Sequence, residues 1–153
     1  MLIVLIHNIS SVQRLIEIAK FIFNYTLASQ IRLLVISKPT GSAAQTGIPE
    51  VSKIAYKQNR SVLIVNELKD AVEILKPEKT FIATSTIKSE VKVEEIVNSI
   101  KKQKALLILP GCEEAFSKYD LALGQPFNIE DMCEKIGIVP YVSITLYEIL
   151  KRL

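Results

Sequence analysis

At 153 residues the chain is long enough for one domain with a full core, because roughly two-thirds of the unfolded surface is buried at that size. Its 49% hydrophobic content and mean hydropathy of +0.29 require strands covered on both faces or an apolar subunit interface, yet no apolar run approaches the ~20 residues that span a bilayer. A formal charge of +3 permits an anionic partner such as RNA without requiring one.

The first element is an apolar strand over Leu2–Ile6. No basic segment precedes it, so it reads as a strand and not as a signal peptide. Ser10 or Ser11 can cap a helix whose apolar positions, Val12, Leu15, Ile16, Ala19, Ile22 and Phe23, follow helical spacing. A second strand covers Ile31–Ile36. Thr40–Gly47 is rich in small and polar residues and reads as an exposed loop, with a short helix after Pro49. A third strand, Ser61–Val65, leads to a helix marked by Leu68, Ala71, Val72 and Leu75 and stopped before Pro77. Thr80–Thr84 is a fourth strand. Val93, Ile96, Val97 and Ile100 mark a fourth helix, with Lys101, Lys102 and Lys104 at its negative dipole end. Ala105–Leu109 and the short Leu121–Leu123 are the fifth and sixth strands, and a last helix runs from about Ile144 to Leu153.

Continuously apolar strands separated by helices imply a parallel sheet covered on both faces. The expected fold is α/β, one domain over 1–153, with about six strands. Two strands stop at a glycine, in Leu109-Pro110-Gly111-Cys112-Glu113 and Leu123-Gly124-Gln125-Pro126. Ligands of open α/β sheets bind where strands end, and glycine lets backbone amides approach them. Cys112 and Cys133 form no Cys-x-x-Cys and no zinc pattern, so free thiols in a reducing cytoplasm, and no metal, are expected. His7 reads as packed. Glu90-Val91-Lys92 after a strand matches the Glu-x-Lys half of a metal-dependent nuclease site, but no Asp on a neighbouring strand completes it.

The order of elements and their endings resembles the SPOUT superfamily of trefoil-knotted RNA methyltransferases, in its ribose-methylating branch. His7-Asn8 followed by Arg14 is similar to that branch's opening motif. Leu109 to Glu113 is similar to the second, Leu123-Gly124 to a cofactor-loop strand, and Val142-Ser143 to the motif that opens the last helix. The resemblance implies a C-terminal trefoil knot, a homodimer formed in part by the last helix, and S-adenosylmethionine bound at Leu109, Gly111, Leu123, Gly124 and Ser143. It implies that Asn8, Arg14 and Glu113 act on the ribose of an RNA acceptor. Ala115 and Phe116 stand where the branch has a further glycine, and only Ser143 remains of its Asn-and-serine motif. The alternative is therefore a non-catalytic knotted dimer that binds RNA or a protein partner.

Overall fold

The computed structural model describes residues 1–153. Six strands, β1 (Leu2–Ile9), β2 (Ile31–Pro39), β3 (Val62–Val65), β4 (Lys79–Ala83), β5 (Ala105–Pro110) and β6 (Gln125–Phe127), form one sheet in the order β3-β2-β1-β5-β4-β6. Every pairing is parallel. The chain winds outward from β1 through β2 to β3 and then crosses to the other half. The winding direction therefore reverses between β1 and β5, where the loops leaving the two strands part to open a crevice.

Side-chain alternation divides β1 between two cores. Leu2, Val4 and Ile6 join a cluster of 32 buried residues, whereas Ile3 and Leu5 join one of only nine. The large cluster lies under helices α1 (Val12–Asn24), α2 (Ile48–Lys57), α4 (Val93–Lys102) and α6 (Ile138–Leu150). The small one lies under α3 (Leu68–Leu75) and the single turn α5 (Lys118–Leu121). In α1, Leu15, Ile18, Ala19, Ile22 and Phe23 make the buried stripe. Ser11 Oγ accepts the Arg14 amide at 3.2 Å and caps its start. That cap places Arg14 in the first turn, beside the end of β1.

Three expectations need correction. Thr40–Gly47 is not an exposed loop: a π-helical turn over Ala43–Gly47 runs straight into α2, with Ala43 and Gly47 buried. Its small residues let it press on α1, where a Cβ on Gly47 would come within 3.0 Å of Leu15 Cδ2. The sixth strand is Gln125–Phe127, not Leu121–Leu123. Ser117 and Asp120 form a capping box that turns the preceding residues helical, and Leu121 and Leu123 pack on the small core without pairing. The last helix begins at Ile138, not near Ile144, after Gly137 at φ 108. Pro140 sits in its first turn, where no intrahelical bond is asked of its nitrogen. No helix is long and apolar enough to cross a membrane.

Candidate functional site

The crevice between β1 and β5 is strapped together by three hydrogen bonds. The Gly111 amide donates to His7 O at 2.7 Å, Arg14 Nη1 to Gly111 O at 3.1 Å, and Asn8 Nδ2 to Ala115 O at 3.1 Å. Three residues at strand ends here have positive φ without being glycine: Asn8 at 63, Lys38 at 52 and Glu114 at 51 degrees. Such backbone costs energy, which the surrounding structure has to offset, and it gathers at functional sites.

Beyond the strap lies a cavity of about 290 Å³ lined by Thr84, Thr86, Glu114, Ala115, Phe116 and Glu134. A smaller one of about 90 Å³ adjoins it, sharing Thr86, Glu114 and Glu134 and adding Glu113, Cys133 and Lys135. Glu134 is 5% exposed, and its carboxylate takes one long bond, from the Ser85 amide to Oε1 at 3.3 Å. Burial pushes the Cys112 thiol up from its ordinary pKa; Arg14 and Lys38 oppose this and Glu134 adds to it. Arg14, Lys38 and Glu134 thus all act electrostatically on the same thiol.

On the other side of the strap, His7 is buried between β2 and α5. Its Nδ1 lies 2.8 Å from Ser37 Oγ, its Nε2 3.2 Å from Asp120 Oδ2, and its ring stacks on Phe116 at 5.6 Å between centroids. Burial lowers its pKa below the ordinary 6.5, against the pull of the Asp120 carboxylate, so the ring is neutral at pH 7.

The residues named from the sequence divide into two groups. Asn8 and Arg14 meet at the strap, and exposed Glu113 lines the smaller cavity. Leu109 is fully buried in the large core. Gly111 and Gly124 pack closely against neighbouring chain: a Cβ on Gly111 would meet Ile9 Cβ at 2.7 Å and two β1 carbonyls at 2.8 Å, and one on Gly124 would meet Thr80 Cγ2 at 2.8 Å. Both glycines let chain segments touch, and the Gly111 amide is already engaged. Leu123 packs on the small core, and Ser143 lies inside α6 rather than at its start. Lys38, Thr84 and Glu134 carry no local signal in the sequence; only tertiary contact brings them here.

No three His, Cys, Asp or Glu side chains converge closely enough to hold a metal ion. Glu90-Val91-Lys92 lies on irregular chain before α4, not on a strand. Lys92 lines the largest cleft, about 680 Å³, at the outer edge of the sheet with Glu94, Glu130, Asp131, Glu148 and Arg152. There Glu148 is already paired with Lys151 at 2.9 Å and Arg152 at 2.6 Å, which lower its pKa.

The architecture is that of the SPOUT-type methyltransferases, and the earlier resemblance holds at the level of the fold. A "Probable Methyltransferase from Bordetella pertussis Tohama I" superposes with a TM-score of 0.75 at 12% identity, over 99% of this chain and 95% of that one. The SpoU methyltransferase AviRb of Streptomyces viridochromogenes gives 0.72 at 11% identity, over 99% of this chain and 59% of that one. At such identity a shared fold does not carry function.

By sequence, the chain belongs to the family described as "RecB-family nuclease (DUF2122)", whose model matches residues 41–148. It is 32% identical to "Putative type II restriction enzyme MjaORF1200P" of Methanocaldococcus jannaschii, over 97% of this chain and 95% of the relative. It is 29% identical to "Putative type II restriction enzyme ApeKORF2002P" of Aeropyrum pernix, over 95% of this chain and 90% of that relative. This membership overturns the expected ribose methyltransferase. The resemblance caught a shared scaffold, which the family's named function does not follow.

Proposed function

We propose that the protein is a nuclease acting on DNA, with the scissile phosphodiester held in the crevice between β1 and β5. The supporting observation is Arg14 bonded to the loop after β5 at Gly111 O, whose residues Glu114 to Phe116 line a cavity with buried Glu134, in a chain of a nuclease-named family. Hydrolysis needs charge stabilisation at the phosphoryl oxygens, an in-line water and a proton acceptor. The planar fork of Arg14 suits two phosphate oxygens, and Lys38 adds a point charge. The Glu134 carboxylate takes a proton from water as the water oxygen bonds phosphorus. The P–O bond opposite breaks, and solvent protonates the departing deoxyribose oxygen. Asn8 holds the loop after β5 through Ala115 O, and Glu113 stands at the rim.

Supercoiled plasmid incubated with the protein, with and without added magnesium, tests this. Nicked or linear product that disappears with Arg14→Ala and Glu134→Gln supports it. Intact plasmid under every condition, or cleavage of RNA alone, overturns it.

The protein also acts as a homodimer in this proposal. Phe21 and Tyr25 of α1 stack at 5.2 Å, and Tyr25 meets Tyr147 of α6 at 6.3 Å. Tyr147 and neighbouring Ile144 remain 45% and 40% exposed. Such an apolar patch matches a self-complementary interface. Light scattering should give twice the 17.1 kDa chain mass, reduced to one chain by Tyr147→Glu; a monomer in the unaltered protein contradicts it. The free thiols of Cys112 and Cys133 support a reducing, cytoplasmic setting.

A further inference from the structure

The face of the sheet that carries the small core holds a separate cavity of about 540 Å³, lined by Glu67, Lys69, Ser117, Tyr119, Asp120 and Leu123. Tyr119 is 86% exposed, so its ring is an aromatic surface that nothing in the chain covers. Asp120 Oδ2 takes the Ser117 amide at 2.9 Å, and no hydrogen bond of the chain reaches its other oxygen. His7, with no exposed surface, points Nε2 at this carboxylate from 3.2 Å. This buried nitrogen makes no well-aligned hydrogen bond and lies behind Asp120, which lines the cavity. Buried polar atoms of this kind call for an explanation. Nδ1 shares a 2.8 Å hydrogen bond with Ser37 Oγ, and Nε2 faces Asp120.

The lining has a defined chemistry. A bare aromatic ring stacks on flat heterocycles. A carboxylate with a free oxygen accepts from an exocyclic amino group, as on cytosine N4. Lys69 adds a cation for a phosphate, and Leu123 an apolar wall. The volume admits a single nucleotide. The cavity also adjoins the crevice through one layer of side chains, because Phe116 lines the crevice and stacks on His7, which faces Asp120.

We propose that this cavity takes an unpaired nucleobase bearing an exocyclic amino group, stacked on Tyr119 and donating to Asp120. It deepens, and rests on, the nuclease assignment by supplying the base readout that a site-selective enzyme needs.

The test is an NMR titration of the full ¹⁵N-labelled chain with deoxycytidine monophosphate and, separately, thymidine monophosphate. Deoxycytidine monophosphate should shift the amides of residues 117–123 and bind more tightly than thymidine monophosphate. Tyr119→Ala should weaken it about tenfold; this side chain is exposed, so the fold is unaffected. Asp120→Asn, whose amide both donates and accepts, should erase the preference between the two nucleotides. Absence of shifts at 117–123, or unchanged binding by Tyr119→Ala, overturns the pocket. Plasmid left uncut while these shifts persist overturns the nuclease assignment and spares the pocket. Cleavage without any nucleotide response does the reverse.

Discussion

The crevice between β1 and β5 and the cleft at the outer edge near β6 are both polar and both contain several carboxylates. The outer cleft is the larger, about 680 Å³ against about 290 Å³. They differ in how their groups are held. In the crevice the backbone is strained at Asn8 and Glu114, the loop is strapped to β1, and Glu134 is buried with one long hydrogen bond. In the outer cleft the carboxylates of Glu94, Glu130 and Asp131 are exposed, and Glu148 is satisfied by its own helix neighbours. Size therefore does not mark the site. The outer cleft also has a positive-φ residue, Asp131; the proposal places the chemistry in the crevice because its carboxylate, Glu134, is buried.

The largest effect expected from breaking this contrast comes at Gly111. Gly111→Ala drives a Cβ into β1 at 2.7 Å from Ile9 Cβ, and overpacking of this kind costs about 3 kcal/mol. A denaturant midpoint should fall accordingly, with plasmid cleavage lost as the strap opens. Glu134→Ala should cost about 1 kcal/mol, because the half-buried Ser85 amide loses its partner. Glu134→Gln keeps that acceptor and should hold stability while removing cleavage. Glu148→Gln in the outer cleft should leave the thermal midpoint unchanged, since exposed ion pairs contribute little.

Acid gives a smaller effect. The folded pKa of His7 lies below its ordinary value of 6.5, so between the two the unfolded chain binds a proton that the folded chain does not. His7 therefore supports stability above pH 6.5, and that support is lost as pH falls through the folded pKa. The thermal midpoint should drop with pH over this window, and His7→Asn should flatten the drop. A midpoint that rises on acidification would mean that the Asp120 carboxylate outweighs burial.

Much of the fold was legible because local rules set it. The apolar runs of β1 and β5, the Ser11 cap and the stripe along α1 follow from spacing alone. The errors came where tertiary packing overrode composition. Small residues at 40–47 signalled a loop but serve a tight contact with α1, and a Ser–Asp capping box displaced a strand that hydropathy had placed at 121–123. The site was legible in part. Asn8 and Arg14 fall where the resemblance put them, because they sit beside strand and helix ends. Lys38, near the end of β2, and Glu134, on a short 3-10 turn, lie far apart in sequence and leave no mark in the pattern. Gly111 and Gly124 stand out in the sequence as strand-ending glycines, and in the structure each lets a neighbouring chain segment approach. The nuclease class that the family's description names had its one sign in the sequence at Glu90-Val91-Lys92, and the structure sets that stretch outside any strand.

Parallel plasmid-cleavage assays of Arg14→Ala and of the pair Glu90→Ala and Lys92→Ala decide between the two regions most directly. The crevice predicts at least about a hundredfold loss with Arg14→Ala, as when one transition-state donor is removed, and an unchanged rate with Glu90→Ala and Lys92→Ala. Full activity in Arg14→Ala, with metal-dependent cutting abolished by Glu90→Ala, would contradict it and move the active site to the outer cleft.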